Sequence, residues 1–200
     1  MLVDKALETM QREGIQVIEW RALLYRRMKV PVFVKNFHYV VPDNQLESAS
    51  ACLSDLGLPL MPLDDFRIDV DGDFHLKGKF HRITVGTESW DLQQIALYPL
   101  SFSTLSMSEL TEEPPMHISP SLRCPKILVP RPSAVYASLI RLTSQYSPSD
   151  PTWINLLSEI SQLIGYHLYQ LSQGLLTPTT IRCGRSLKWI NALRRPILLS

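Results

Sequence analysis

Residues 32–41 read VFVKNFHYVV, the densest run of β-branched and aromatic residues in the chain, and that composition predicts a strand. Pro42 ends it, because proline has no N–H to give a ladder, and Asp43 can cap the next helix. Downstream, Leu46, Ala49, Leu53 and Leu56 recur at helical spacing, so residues 45–56 read as a helix closed by Gly57. Upstream, residues 21–28 read as a short helix with Ala22, Leu23, Leu24 and Met28 on its apolar side, and Ile15 to Ile18 as a short strand. Leu2, Ala6, Leu7 and Met10 make residues 2–13 an amphipathic helix ending at Gly14. The order helix–strand–helix–strand–helix calls for helices packed on a mixed sheet, an α+β fold.

The middle of the chain reads as β. Residues 67–70 and 73–76 flank Asp71-Gly72, a hairpin signal, and residues 79–85 and 92–98 read as further strands. Residues 101–125 read as an irregular surface connection, being rich in Ser, Pro and acids. Ile127 to Val129 reads as a short strand or an extended entry to a helix beginning near Pro132. Residues 133–146 and 150–173 carry helical periodicity, and in the second Trp153, Leu156, Leu157, Ile160, Leu163, Ile164 and Leu168 form a broad stripe. That stripe suits either the chain's own core or a homodimer face. A last basic helix covers residues 185–193. The expected organisation is an α+β core over 1–126 with a C-terminal helical part, 127–200, packed on it.

Composition narrows the function classes. With 200 residues, 45% of them hydrophobic, the chain can bury one sizeable core. A formal net charge of +1 supplies no global attraction for nucleic acid or an anionic membrane. No apolar run approaches the roughly 20 residues that span a bilayer, and the charged start is not a secretory signal. Cys52, Cys124 and Cys183 are odd in number and form no CxxC, which fits a reducing compartment, cytoplasmic or nuclear.

The segments IEWRALLYRRMKVP at 18–31, FHYVVPDNQLESASACLSDLGLP at 37–59 and KFHRITV at 79–85 share an order and spacing that resembles the nucleotidyltransferase superfamily. YPLSFSTLS at 98–106 and ILVPRPSAVYASLI at 127–140 extend the likeness, which is most similar to a fungal group with a degenerate acidic motif. In active members of that superfamily a Gly-Ser turn precedes a strand carrying Asp-x-Asp, and a third carboxylate sits on a later strand. Residues two apart on a strand point the same way, so paired Asp can hold two Mg²⁺ ions against a triphosphate. Here Asn36 and His38 stand where the resemblance implies the two Asp, and the segment before them, residues 26–31, holds Arg26, Arg27 and Lys29 and no Gly-Ser. An amide and an imidazole supply no negative charge to a hard cation. The resemblance therefore implies a cleft beside the 32–41 strand, with Asn36 and His38 facing it and Lys35 and Arg27 at its rim, no metal, and no cofactor.

Other constellations are weaker. Asp69 and Asp71, in DVDGD, read as one face of a hairpin strand and as a displaced metal site; an EF-hand loop fails because Phe74 and Phe80 fall at its sixth and twelfth positions. His81 and Arg82 lie in a segment of family likeness and are secondary candidates. No HExxH, GxSxG, P-loop or GxGxxG occurs. After Glu159 the chain has no acid, and its end carries Arg182, Arg185, Lys188, Arg194 and Arg195. This basic end suits either docking on the chain's acidic stretch, residues 43–73, or an exposed arm with Trp189 meeting phosphate or an acidic partner. The reading is a catalytically degenerate nucleotidyltransferase-like protein working by binding a nucleotide or a protein segment; the alternatives are a metal-dependent nucleotidyltransferase and an enzyme reusing the cleft, with His38 as acid or base.

Overall fold

The computed structural model describes residues 2–83, 93–117, 121 and 123–171. They form a mixed six-stranded sheet packed with helices. In chain order the elements are α1 (Leu2–Arg12), β1 (Ile18–Trp20), α2 (Ala22–Arg27), β2 (Phe37–Val41), α3 (Leu46–Asp55), α4 (Asp65–Asp71), α5 (Asp73–Leu76), β3 (Lys79–Arg82), β4 (Gln94–Pro99), α6 (Leu100–Ser103), β5 (Leu110–Glu113), β6 (Ile127–Pro130), α7 (Pro132–Thr143) and α8 (Pro151–Gln162). Residues Leu163–Leu168 prolong α8 with π-helical bonding. Among the described residues no helix is long and apolar enough to cross a membrane.

The sheet order is β3-β4-β2-β1-β6-β5. β2 lies antiparallel to β1, with Trp20 opposite His38, and parallel to β4, with His38 opposite Ala96. β6 runs parallel to β1 and antiparallel to β5. The sheet thus extends past residue 126, since Ile127–Pro130 is one of its inner strands. Helix α3 packs on α1 and on β3 and β4; α2 packs on β1 and β2; α6 links β2 and β4 to α7; α4, α5 and α7 all meet α8.

Three expectations fail for identifiable reasons. Of the run 32–41 only Phe37–Val41 is strand, since β1 is three residues long and its pairing with β2 ends at Trp20 opposite His38. Phe33 there is 87% exposed. The hairpin expected at Asp71-Gly72 is two short helices instead. Asp64 caps Phe66 N, and side chains of α8 take the remaining backbone groups: Asn155 donates to the Val70 carbonyl and Thr152 Oγ1 accepts from Asp73 N. The Asp71-Gly72 pair therefore marks a junction between helices and not a hairpin turn. Finally, residues 101–125 are not simply an irregular connection, for they contribute α6 and the edge strand β5.

Gly72 joins α4 to α5 at φ 60° and ψ −134°, a backbone region that side chains rarely enter. A Cβ there would lie 2.3 Å from Thr152 Oγ1 and 2.9 Å from Thr152 N. Gly72→Ala is expected to cost about 2 kcal/mol or more, combining strained φ with a clash against helix backbone. A urea titration followed by circular dichroism measures it, and a change under about 0.5 kcal/mol would contradict this geometry.

The stripe on residues 150–173 is intramolecular where it is deepest, since Leu156 and Leu163 are fully buried in the chain's own core. Asp150 caps this helix through Thr152 N at 2.7 Å. The basic helix expected over 185–193 and Cys183 lie outside the described residues.

Candidate functional site

Successive residues of β1 point to opposite faces of the sheet, so Glu19 and Trp20 open two separate interiors. Trp20 belongs to an aromatic cluster: its ring centroid lies 4.9 Å from that of Tyr98 and 5.9 Å from that of Phe102, and Phe74 lies 5.6 Å from Phe102. His38 belongs to the same side, 6.1 Å from Tyr98 between ring centroids.

Arg21, the turn residue between β1 and α2, has φ 52° and ψ −126°, a conformation suited to glycine. That strained backbone aims its guanidinium back across the cluster. It stacks 3.9 Å above the Phe74 ring centroid and donates from Nε to Glu159 Oε1 at 2.8 Å, with a second bond from Nη2. The other Glu159 oxygen accepts from the Tyr25 hydroxyl. Burial and the Glu159 charge push the Tyr25 phenol well above its ordinary range, and burial pushes Tyr98 up to about 12. α8 is thereby latched over the aromatic cluster by one buried carboxylate.

Lys35 and Asn36 are half-buried in the irregular segment just before β2, and His38 is half-buried on it. Asn36 Oδ1 and His38 Nδ1 are sealed from solvent and have no hydrogen-bond partner. Burial, then repulsion from Arg21, holds the His38 imidazole well below its ordinary pKa, so it is neutral at pH 7. The three groups nearest the expected two-metal site are thus an amide, a neutral imidazole and a fixed cation. β4, the neighbouring parallel strand, reads QIALYP and offers no carboxylate. These residues do not fit Mg²⁺, which needs anionic oxygen ligands. Among the described residues no group of three His, Cys, Asp or Glu side chains is placed to hold a metal ion.

Unpartnered buried polar atoms stabilise nothing. Asn36→Leu and His38→Leu are each expected to leave stability unchanged or raise it by about 1 kcal/mol. A loss above about 1 kcal/mol from either, measured by chemical denaturation, would assign that side chain a packing role.

The weaker candidates separate from this site. Asp69 and Asp71 lie on α4, where residues two apart project about 200° apart, so they do not share a face as they would on a strand. His81 is fully buried and doubly bonded: its Nδ1 donates to the Leu58 carbonyl and its Nε2 accepts from the Ser50 hydroxyl, both at 2.9 Å. That pairing ties β3 to α3 and the loop after it, a structural role. Arg82 is half-buried at the end of β3, its N–H donating to the Pro59 carbonyl.

Arg27 is not at the rim of the Asn36–His38 site. It reaches the second interior, where Glu19 is fully buried. Arg27 Nε donates to Glu19 Oε1 at 2.8 Å, Nη1 to Glu113 at 2.8 Å and Nη2 to the Pro114 carbonyl at 2.7 Å; Met116 N donates to the second Glu19 oxygen at 3.0 Å. Beside them Asp4 accepts from Ser121 and from His117 Nε2 at 3.1 Å. Burial opposes its charge, yet these two bonds hold the Asp4 carboxyl below its ordinary value. Nothing local in the sequence marked Arg21, Glu19 or Glu159 as buried and paired.

A cavity of about 660 Å³ opens elsewhere, between the C-terminal end of α2, β6 and the end of the α8 extension. Lys29, Tyr166, His167 and Leu171 are among its lining; Lys35, Asn36 and His38 are not.

No family model and no curated protein matches this chain. Among solved structures, the chain is similar to the antibiotic-resistance factor ANT(2'')-Ia, whose solution structure was described for its substrate-regulated conformation dynamics, with 11% identity and a TM-score of 0.46 over 96% of this chain and 93% of that one.

Proposed function

We propose that this chain is a catalytically degenerate nucleotidyltransferase-like protein that acts as a binding or interaction module. The observation that carries the reading is the chemistry around β2. Where the resemblance implies two aspartates, Asn36 and His38 leave sealed, neutral, unpartnered atoms, and the charge acting on His38 is the Arg21 cation. Glycine-type backbone carried by other residues before β2 is a further support: Lys29 holds φ 63° within residues 26–31, and Arg21 holds φ 52° in the turn between β1 and α2. A side chain in place of glycine there projects into the aromatic cluster, and with Glu159 and Phe74 it fills the space beside His38. Reuse of the cleft with His38 as a general base finds no support, since its Nδ1 is sealed and has no relay partner. Lys35, Asn36 and His38 are the residues assigned to the cleft under this reading.

Calorimetric titration with ATP, CTP, GTP and UTP, each with and without Mg²⁺, tests it. Binding is expected to be indifferent to Mg²⁺. Metal-independent binding supports a nucleotide ligand, and no binding removes nucleotide and leaves a protein segment or a repurposed cleft. Binding strengthened tenfold or more by Mg²⁺ would overturn the reading, because it requires carboxylates that the β2 site lacks.

A further inference from the structure

We propose that the acidic, apolar surface formed by residues 60–76 is the docking site for this chain's own segment 172–200. This inference does not depend on the reading of the β2 site. α4 buries no side chain at all, which is unusual for a helix held against a domain. Its backbone is nonetheless tied to α8, Asn155 donating to the Val70 carbonyl, and Thr152 Oγ1 accepts from the first N–H of α5. It turns Phe66 (74% exposed) and Val70 (52%) outward, and the flanking residues Leu60 (47%), Leu63 (57%) and Leu76 (47%) are exposed as well. Phe66 and Val70 stand one turn apart on α4, and Asp65 and Asp69 form the adjacent stripe. Among the described residues neither Asp65 nor Asp69 has a side-chain hydrogen bond or ion pair. A contiguous apolar patch fringed by unpaired acids marks a surface that meets a basic, apolar partner.

Segment 172–200 has that composition. It holds Arg182, Arg185, Lys188, Arg194 and Arg195, no acid, and among them Trp189, Ile190, Leu193, Ile197, Leu198 and Leu199. It also leaves the domain from the extension of α8, the helix on which α4 is packed. At about 3.3 Å per residue, its length reaches far beyond the few tens of ångströms that separate any two points on a domain of this size. Tethering gives it a local concentration of order millimolar, which a separate basic protein would have to exceed.

The test uses the full chain with Phe66 replaced by the photo-crosslinker p-benzoylphenylalanine. Irradiation is expected to join position 66 to residues within 172–200 at monomer mass, as mapped by peptide mass spectrometry. Asp65→Lys together with Asp69→Lys is expected to lower the yield at least fivefold, and adding Arg194→Glu with Arg195→Glu to restore it. Position 66 is highly exposed and both Asp side chains lie on the outward side, so these variants keep the fold. Cross-links to other parts of the chain, cross-links between two copies, no cross-link, or a yield indifferent to the charge swap would each overturn the proposal.

Discussion

Arg27→Met is expected to lower the free energy of unfolding by about 3–5 kcal/mol, the usual cost of stripping a buried charge of its partner. The effect arises at Glu19, which is fully buried on the central strand β1. With Arg27 gone, its carboxylate keeps only the Met116 N–H among the bonds it makes. The same guanidinium also holds Glu113 at the end of edge strand β5 and the Pro114 carbonyl, so one side chain fastens β1 to the far edge of the sheet. Two measurements separate charge from packing. Urea denaturation of Arg27→Met gives the loss, and the double variant Glu19→Leu with Arg27→Met is expected to recover at least half of it, because no orphaned charge remains. A single-variant loss below about 1 kcal/mol would show that Glu19 finds another partner.

Glu159→Leu is the second large effect, expected at about 3 kcal/mol. It leaves the Arg21 guanidinium stacked on Phe74 but without its anion, and it removes the acceptor of the buried Tyr25 hydroxyl. The figure is set at the low end because the Arg21 side chain is 20% exposed and can borrow water. Pairing it with Arg21→Gly is expected to give a coupling of about 1–3 kcal/mol in a double-mutant cycle, and glycine also relieves the positive φ at position 21. An additive cycle would mean that the two groups do not act together as a latch. The double variant bears on the proposed function as well. It removes the Arg21 side chain from the space beside His38, so any nucleotide affinity it gains would come from the room that Arg21 now occupies.

The alternation of helix and strand over residues 2–56, the presence of α7 and α8, and the lack of acids at positions 36 and 38 were all legible in the amino-acid sequence. Each of these is written in local terms, as a 3.6-residue apolar period, a capping residue, a β-branched run or the identity of one side chain, and local terms survive folding when burial agrees with them. The stretch 64–76 misled because an Asp-Gly pair suits a junction between two short helices as well as a hairpin turn, and the contacts that hold those helices come from Asn155 and Thr152, some eighty residues away. The fit of a cation between Phe74 and Glu159 was likewise out of reach, since Arg21 and Glu159 lie 138 residues apart. The same holds for Glu19, whose partners come from α2, β5 and the segment after it. Which charges became buried and paired was settled by long-range packing alone. A charge leaves water only where a distant segment arrives to meet it, and the sequence carries no local mark of that arrival.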